Sequence, residues 1–128
     1  MAQILYKELS YKITGLCFKV HNELGRFCKE KQCADLFESL LKEEGIKYKR
    51  EFDTKLINKE SPVGNRGDFL IDDKVIVEFK VKNIITKEDY YQVQRYLKSA
   101  KLKLGLIFNF RNRYLKAKRV LNSSVSIK

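Results

Sequence analysis

Two charged residues interrupt an otherwise apolar run between Val75 and Val81: Glu78 and Lys80, with Phe79 between them. Along a strand alternate side chains face opposite ways, so Val75, Val77, Phe79 and Val81 share one face and Ile76, Glu78 and Lys80 the other. A carboxylate and an ammonium set into a hydrophobic strand cost free energy unless they meet a metal, a substrate or each other. Upstream, Arg66 to Ile71 forms a second apolar segment that carries Asp68, and Asp72-Asp73-Lys74 separates the two. If those three residues are the loop of a hairpin, Ile71 faces Val75 and Asp68 faces Glu78, with both carboxylates on one side of the sheet. A two-residue loop would shift the register by one and turn Asp68 away. Two carboxylates and an ammonium that converge make a hard oxygen-ligand site suited to Mg²⁺ or Mn²⁺. Lys80 is then placed to steady an attacking water or the charge developing at phosphorus. The plain alternative is a Glu and a Lys pairing across an exposed sheet face.

The elements that must position these residues read as follows. Ile13, Leu16, Cys17, Val20 and Leu24 recur at helical spacing, and Gly25 follows as a stop. A second amphipathic helix runs from about Lys29 to Glu44 on the stripe Cys33, Leu36, Phe37, Leu40 and Leu41, with Gly45 at its end. Glu30 precedes Cys33, Phe37 and Leu41 by whole turns, so it continues the inward stripe at the helix start. The helix dipole favours a carboxylate there, and it could reach a metal at the sheet or be satisfied by backbone amides. Alternation from Ile46 through Tyr48 and Phe52 to Leu56 predicts a half-exposed strand, and the stretch Asn58 to Gly67, with the sole proline Pro62, a loop. Thr86-Lys-Glu-Asp89 resembles a capping box that opens a helix through Ala100 on Val93, Tyr96, Leu97 and Ala100. Leu104 to Phe110 is a buried strand and Tyr114 to Leu121 an edge strand. The order α, α, β, β, β, α, β, β predicts an α/β sandwich around a mixed sheet.

The 128 residues suit one domain, 1–128, with a core large enough to stand without disulfides. The net charge of +11 is concentrated: from Arg95 onward there are ten basic residues and no Asp or Glu, whereas the preceding 94 carry seventeen basic and sixteen acidic groups. A one-sided field favours a polyanion over a merely solubilising face. No apolar run approaches a membrane span and no signal-peptide core opens the chain, which points to a cytoplasmic location and no membrane partner. Cys17, Cys28, Cys33 and His21 are the whole soft-ligand inventory. An odd cysteine count without a C-x-x-C pair argues against a disulfide framework and a zinc knuckle, so the cysteines are read as small buried hydrophobes. A single histidine also weakens any Ser-His or Cys-His triad.

Asp68, nine intervening residues and then Glu78-Phe79-Lys80 resemble the core signature of PD-(D/E)XK nucleases, with Gly67 in the place of the proline. The longer pattern is Gly25 and Glu30, Arg66-x-Asp68-Phe-Leu, Val77-Glu-Phe-Lys80, Gln92-x-x-x-Tyr96-Leu-Lys98 and Leu104-Gly-Leu-Ile-Phe-Asn109-Phe110. It resembles the GxxExxY family of small PD-(D/E)XK-like proteins over about residues 15 to 121. The GxxExxY box itself is altered, with Phe27 where its glycine would stand and Cys33 where its tyrosine would. The resemblance implies a restriction-endonuclease-like α/β sandwich, a central mixed sheet flanked by helices. It also implies that Asp68 and Glu78, aided by Glu30 and the Phe79 carbonyl, hold Mg²⁺ or Mn²⁺. Gln92 and Tyr96, one helical turn apart, resemble the Q-x-x-x-Y motif of RecB-type members that borders the active site and helps place the substrate phosphate. The expectation is a metal-dependent nuclease, DNA ahead of RNA, with Lys98, Arg111, Arg113, Lys116, Lys118 and Arg119 binding phosphates. The alternative is a non-catalytic nucleic-acid-binding or regulatory module that retains the fold. A homodimer is left open.

Overall fold

The computed structural model describes residues 5–53 and 66–122. Most of the expected Asn58 to Gly67 loop, with Pro62, and the far end of the first strand at Leu56 lie outside the described residues. Helix α1 spans Lys7–Leu24 and α2 Glu30–Glu43. Strands β1 (Tyr48–Asp53), β2 (Arg66–Ile71) and β3 (Val75–Lys80) follow, then α3 (Lys87–Ala100), β4 (Leu104–Asn109) and β5 (Ala117–Leu121). Gly25 ends α1 at φ +77°, where its N–H donates to the His21 carbonyl at 2.9 Å, a backbone state that a side chain would resist. Thr86 and Asp89 form the capping box of α3: the Thr86 hydroxyl accepts the Asp89 N–H at 3.3 Å and the Asp89 carboxylate accepts the Thr86 N–H at 2.8 Å.

The strands lie in the order β1-β2-β3-β4-β5, antiparallel except for the parallel β3–β4 pair that α3 crosses over to make. Asp72, Asp73 and Lys74 close the β2–β3 hairpin with Ile71 opposite Val75, as the loop length requires. Helices α1 and α2 cover one face. There Ile13, Val20, Phe37 and Leu41 pack on Phe69, Val77, Phe79 and Phe108, and the Phe79 ring meets those of Phe37 and Phe110 edge-on at 5.1 and 4.7 Å. Helix α3 covers the other face, with Val93, Tyr96 and Leu97 on Leu70, Ile76, Ile107 and Val120. The buried rows of β3 thus press Phe79 into the α1–α2 layer and hold Glu78 and Lys80 toward α3.

Two expectations are corrected. The alternation through Tyr48 and Phe52 does not keep one face: Tyr48 packs against the α1–α2 core, while Phe52 belongs to the α3 core. Glu51 between them sits at φ +55°, a left-handed residue that turns the strand over. Cys28 and Cys33 are buried as expected but joined to each other across the start of α2, leaving Cys17 as the free buried thiol.

Candidate active site

The β2–β3 ladder is regular from Ile71–Val75 to Phe69–Val77 and then changes character. Where the next rung would form, Asp68 donates its N–H to Glu78 Oε1 at 2.8 Å, and Asp68 Oδ2 accepts the Phe79 N–H, also at 2.8 Å. Side-chain carboxylates replace backbone carbonyls, which holds both acids at the mouth between two strands. In extended backbone the N–H and C=O of one residue point the same way, so the Phe79 carbonyl also faces this opening. Gly67 permits the closeness. A Cβ there would lie 2.5 Å from the Phe52 ring and 3.0 Å from Glu78 Oε1.

The electrostatics follow from this proximity. Glu78 is buried, and loss of hydration together with the neighbouring Asp68 charge pushes its pKa up to about 8. Burial likewise raises Asp68, against hydrogen bonds and Lys80, which act to lower it. On α3, Tyr96 is pushed up to about 12, by burial first and then by the negative charges of Glu78 and Asp68. Gln92, one turn earlier, accepts a hydrogen bond from Lys80 Nζ at 3.1 Å. The motif on α3 therefore borders the acids on the face where β3 holds them.

Glu30 continues the stripe of Cys33, Phe37 and Leu41 in spacing but is exposed where they are buried. Helix α2 packs on the Phe79 face, opposite Glu78 and Lys80. Glu30 is the first residue of α2 and joins Lys31 and Ala34 of α2, Arg50 and Glu51 of β1, and Asp68 and Phe69 of β2 in lining a pocket of about 300 Å³. Partial burial and then Asp68 raise its pKa, while Lys80 lowers it. Capping does not consume its carboxylate, because Gln32 Oε1 accepts the Lys29 N–H instead, at 2.8 Å. Glu30, Asp68, Glu78 and Lys80 are electrostatic neighbours, yet Glu78 and Lys80 do not line that pocket. Among the described residues no three His, Cys, Asp or Glu side chains gather tightly enough to hold a metal ion.

The donor set nonetheless fits a hard divalent cation. Asp68 and Glu78 offer oxygen donors whose joint ionisation is resisted by burial and mutual repulsion, and a cation relieves both.

Three further residues shape this end of the sheet without a signal in the periodicity. Glu51, brought round by its left-handed backbone, shares the Glu30–Asp68 pocket and acts to raise the Asp68 pKa. Asp89 is buried, lies 3.9 Å from Lys80 and pairs with Lys82. Asn109 clasps the backbone after Lys80: Nδ2 donates to the Lys82 carbonyl at 2.6 Å and Oδ1 accepts the Lys82 N–H at 3.1 Å. A cross-strand view of β1 against β2 could have exposed Glu51. The capping box with Thr86 marks Asp89 as a helix-start residue, but its pairing with Lys82 and the grip of Asn109 on the Lys82 backbone are tertiary contacts.

The expected phosphate-binding residues do not share one surface. Lys116 and Lys118 border grooves on the α3 side. Arg119 turns to the other side and donates to the Leu5 carbonyl at 3.0 Å. Arg111 Nε donates to the Arg26 carbonyl and Arg26 Nε to that of Arg111, each at 3.0 Å, with both guanidinium groups over the exposed ring of Phe27. Arg113 stacks on Tyr114, and Lys98 is exposed on α3. No described helix is long and apolar enough to cross a membrane.

A family model for the PD-(D/E)XK nuclease superfamily matches residues 7–120. No curated protein and no solved structure matches the chain.

Proposed function

The chain belongs to the PD-(D/E)XK nuclease superfamily, and we propose that it hydrolyses phosphodiester bonds at the Asp68–Glu78 pair with the help of a divalent cation, DNA ahead of RNA on the family resemblance. Its mixed sheet with helices on both faces is the restriction-endonuclease-like arrangement. The order of Gly25, Glu30, Asp68, Glu78, Lys80, Gln92 and Tyr96 supports assignment to the GxxExxY family within it.

The observation that carries the reading is the reciprocal hydrogen bonding that seats Asp68 and Glu78 side by side, with Lys80 and Tyr96 on the same face. Asp68, Glu78 and the Phe79 carbonyl are the groups that would hold Mg²⁺ or Mn²⁺, and Glu30 would approach through the pocket it shares with Asp68. A cation bound there supplies a Lewis acid and a water of lowered pKa. Gln92 holds the Lys80 ammonium at 3.1 Å, where it can orient a water and offset charge on a phosphate oxygen. Tyr96 stays protonated at neutral pH and keeps an O–H for donation to substrate.

Incubating the purified chain with single-stranded, duplex and branched DNA and with RNA, in Mg²⁺ or Mn²⁺, tests the proposal. Metal-dependent cleavage that disappears in Asp68→Asn and Glu78→Gln is expected. Binding without cleavage of any substrate in either metal would leave the non-catalytic binding module in its place.

A further inference from the structure

We propose that the groove between the β3–α3 loop and β5 is a subsite for one unpaired nucleotide, beside the site assigned above; this rests on that assignment for its place along the substrate. Two adjoining cavities of about 490 and 250 Å³ form the groove and share Ile85 and Lys118. The larger is floored by Ile107 and Asn109, which stand opposite Glu78 and Lys80 in the parallel β3–β4 ladder. The floor is therefore one strand spacing, about 4.8 Å, from the β3 row that carries Glu78 and Lys80. Lys118 pairs with Ile107 on β4 and leans over the Tyr90 ring, 5.6 Å from its centroid.

The lining offers what a nucleotide presents. Tyr91 is 52% exposed and Ile84 71% exposed, so an aromatic face and an aliphatic wall are free to take a flat base. Tyr90 is less available, since it lies under Lys118 and its hydroxyl is held by Gln94. Asn83 has no hydrogen-bond partner among the described residues, and its amide can both donate to and accept from a base edge. Lys87, Lys116 and Lys118 rim the groove. The acids of the first turn of α3 are engaged elsewhere, Glu88 by Arg95 and Asp89 by Lys82. The three lysines therefore have no acidic partner among the described residues and remain available to phosphate. A base paired in a duplex is stacked on both sides with its reading edge occupied, so a concave site of this kind admits only an unpaired one. The inferred substrate class is a nucleic acid with a single-stranded segment at the point of attack.

The test is fluorescence anisotropy in EDTA, where no cleavage occurs, with a labelled deoxyoligonucleotide offered single-stranded and as a blunt duplex. The wild type is expected to bind the single strand about tenfold tighter. Tyr91→Ala should lose about tenfold on the single strand, the order of one base–aromatic stack, and leave duplex affinity within about twofold. Tyr91→Phe, which keeps the ring, should bind as the wild type does, and a 2-aminopurine base in the strand should be quenched by the wild type and not by Tyr91→Ala. Equal affinity for the two forms, full affinity in Tyr91→Ala, or no binding of the strand would each overturn the subsite. Cleavage in Mg²⁺ or Mn²⁺ is scored apart. The expected binding pattern without cleavage would sink the nuclease reading and keep the subsite, whereas cleavage indifferent to strandedness and to Tyr91→Ala would do the reverse.

Discussion

Glu78 accepts the backbone N–H of Asp68, and Asp68 in turn accepts the N–H that follows Glu78, both at 2.8 Å. Each acid is thus a structural part of the other's strand. The bonds replace a rung of the ladder, so the carboxylates are fixed by the sheet before any cation arrives, and a change to one side chain is felt in the position of the other.

The isosteric replacements Asp68→Asn and Glu78→Gln keep an oxygen to accept the same N–H groups and remove the charge. Cleavage should fall on the order of a thousandfold or more, since a Lewis acid contributes several kcal/mol to such a transition state. The denaturation midpoint should stay at or above that of the wild type, because the repulsion between the acids is gone. The alanine variants lose the acceptor as well and should cost about 1 kcal/mol beyond the isosteres. Initial rates and urea titrations on the four variants check both statements. Wild-type rates in either isostere would remove the proposed site.

The raised Glu78 pKa makes stability depend on pH in a defined direction. The folded state binds this proton more tightly than the unfolded chain, whose Glu titrates near 4.5, so its contribution is complete below about 4.5 and is lost as pH rises to about 8. The difference in stability between wild type and Glu78→Gln should therefore move in favour of the variant across that window and level off above it. Asp68 titrates with Glu78 as a pair, so the window belongs to both. Millimolar Mg²⁺ should shrink the loss at the alkaline end by binding the ionised pair. Thermal melts across the range, with and without Mg²⁺, decide it; a difference that does not change with pH would contradict the pair's described burial.

Much of this arrangement is legible in local rules. A three-residue loop and strict alternation set Asp68 against Glu78, and a Thr and an Asp three apart start α3 with Gln92 and Tyr96 on one side. What escapes those rules depends on single departures from regular backbone or on distant partners. Glu51 adopts φ +55° without being glycine, so the period-2 reading of β1 sends Phe52 to the wrong core and hides Glu51 from the Asp68 pocket. Glu30 fits the helical stripe in number, yet as the first residue of α2 it stays exposed and meets Asp68 in a pocket that Glu51 also lines. The joining of Cys28 to Cys33 follows no spacing motif, and the grip of Arg119 on the start of α1 spans the whole chain.

The spread of basic residues over two sides of the sheet predicts unequal shares in binding. Each phosphate contact adds about 0.9 to the slope of log affinity against log salt on duplex and about 0.7 on a single strand. Replacing Lys116 and Lys118 together by Gln should lower the slope by up to about twice that value. Arg119→Gln should leave it unchanged, because that guanidinium is engaged with the Leu5 carbonyl. Anisotropy titrations across a salt series in EDTA give the slopes. A larger loss in Arg119→Gln than in the double variant would move the binding surface to the α1 side.

Gly67 is the residue on which packing and chemistry meet. A Cβ at this position would lie 2.5 Å from the Phe52 ring and 3.0 Å from Glu78 Oε1. Phe52 is buried against the α3 core and yields little, so Gly67→Ala should cost about 1–3 kcal/mol, as overpacking does. Shortening the ring with Phe52→Leu opens room for the methyl group, and the double variant should be more stable than the sum of the two single losses. The crowding of the Glu78 oxygen does not depend on Phe52 and persists in the double variant. Stability should therefore recover in part while cleavage stays depressed. Chemical denaturation and initial rates on the four proteins of the cycle separate the effects: recovery of both together would show that Gly67 serves only the core, and recovery of stability alone ties it to the placement of Glu78.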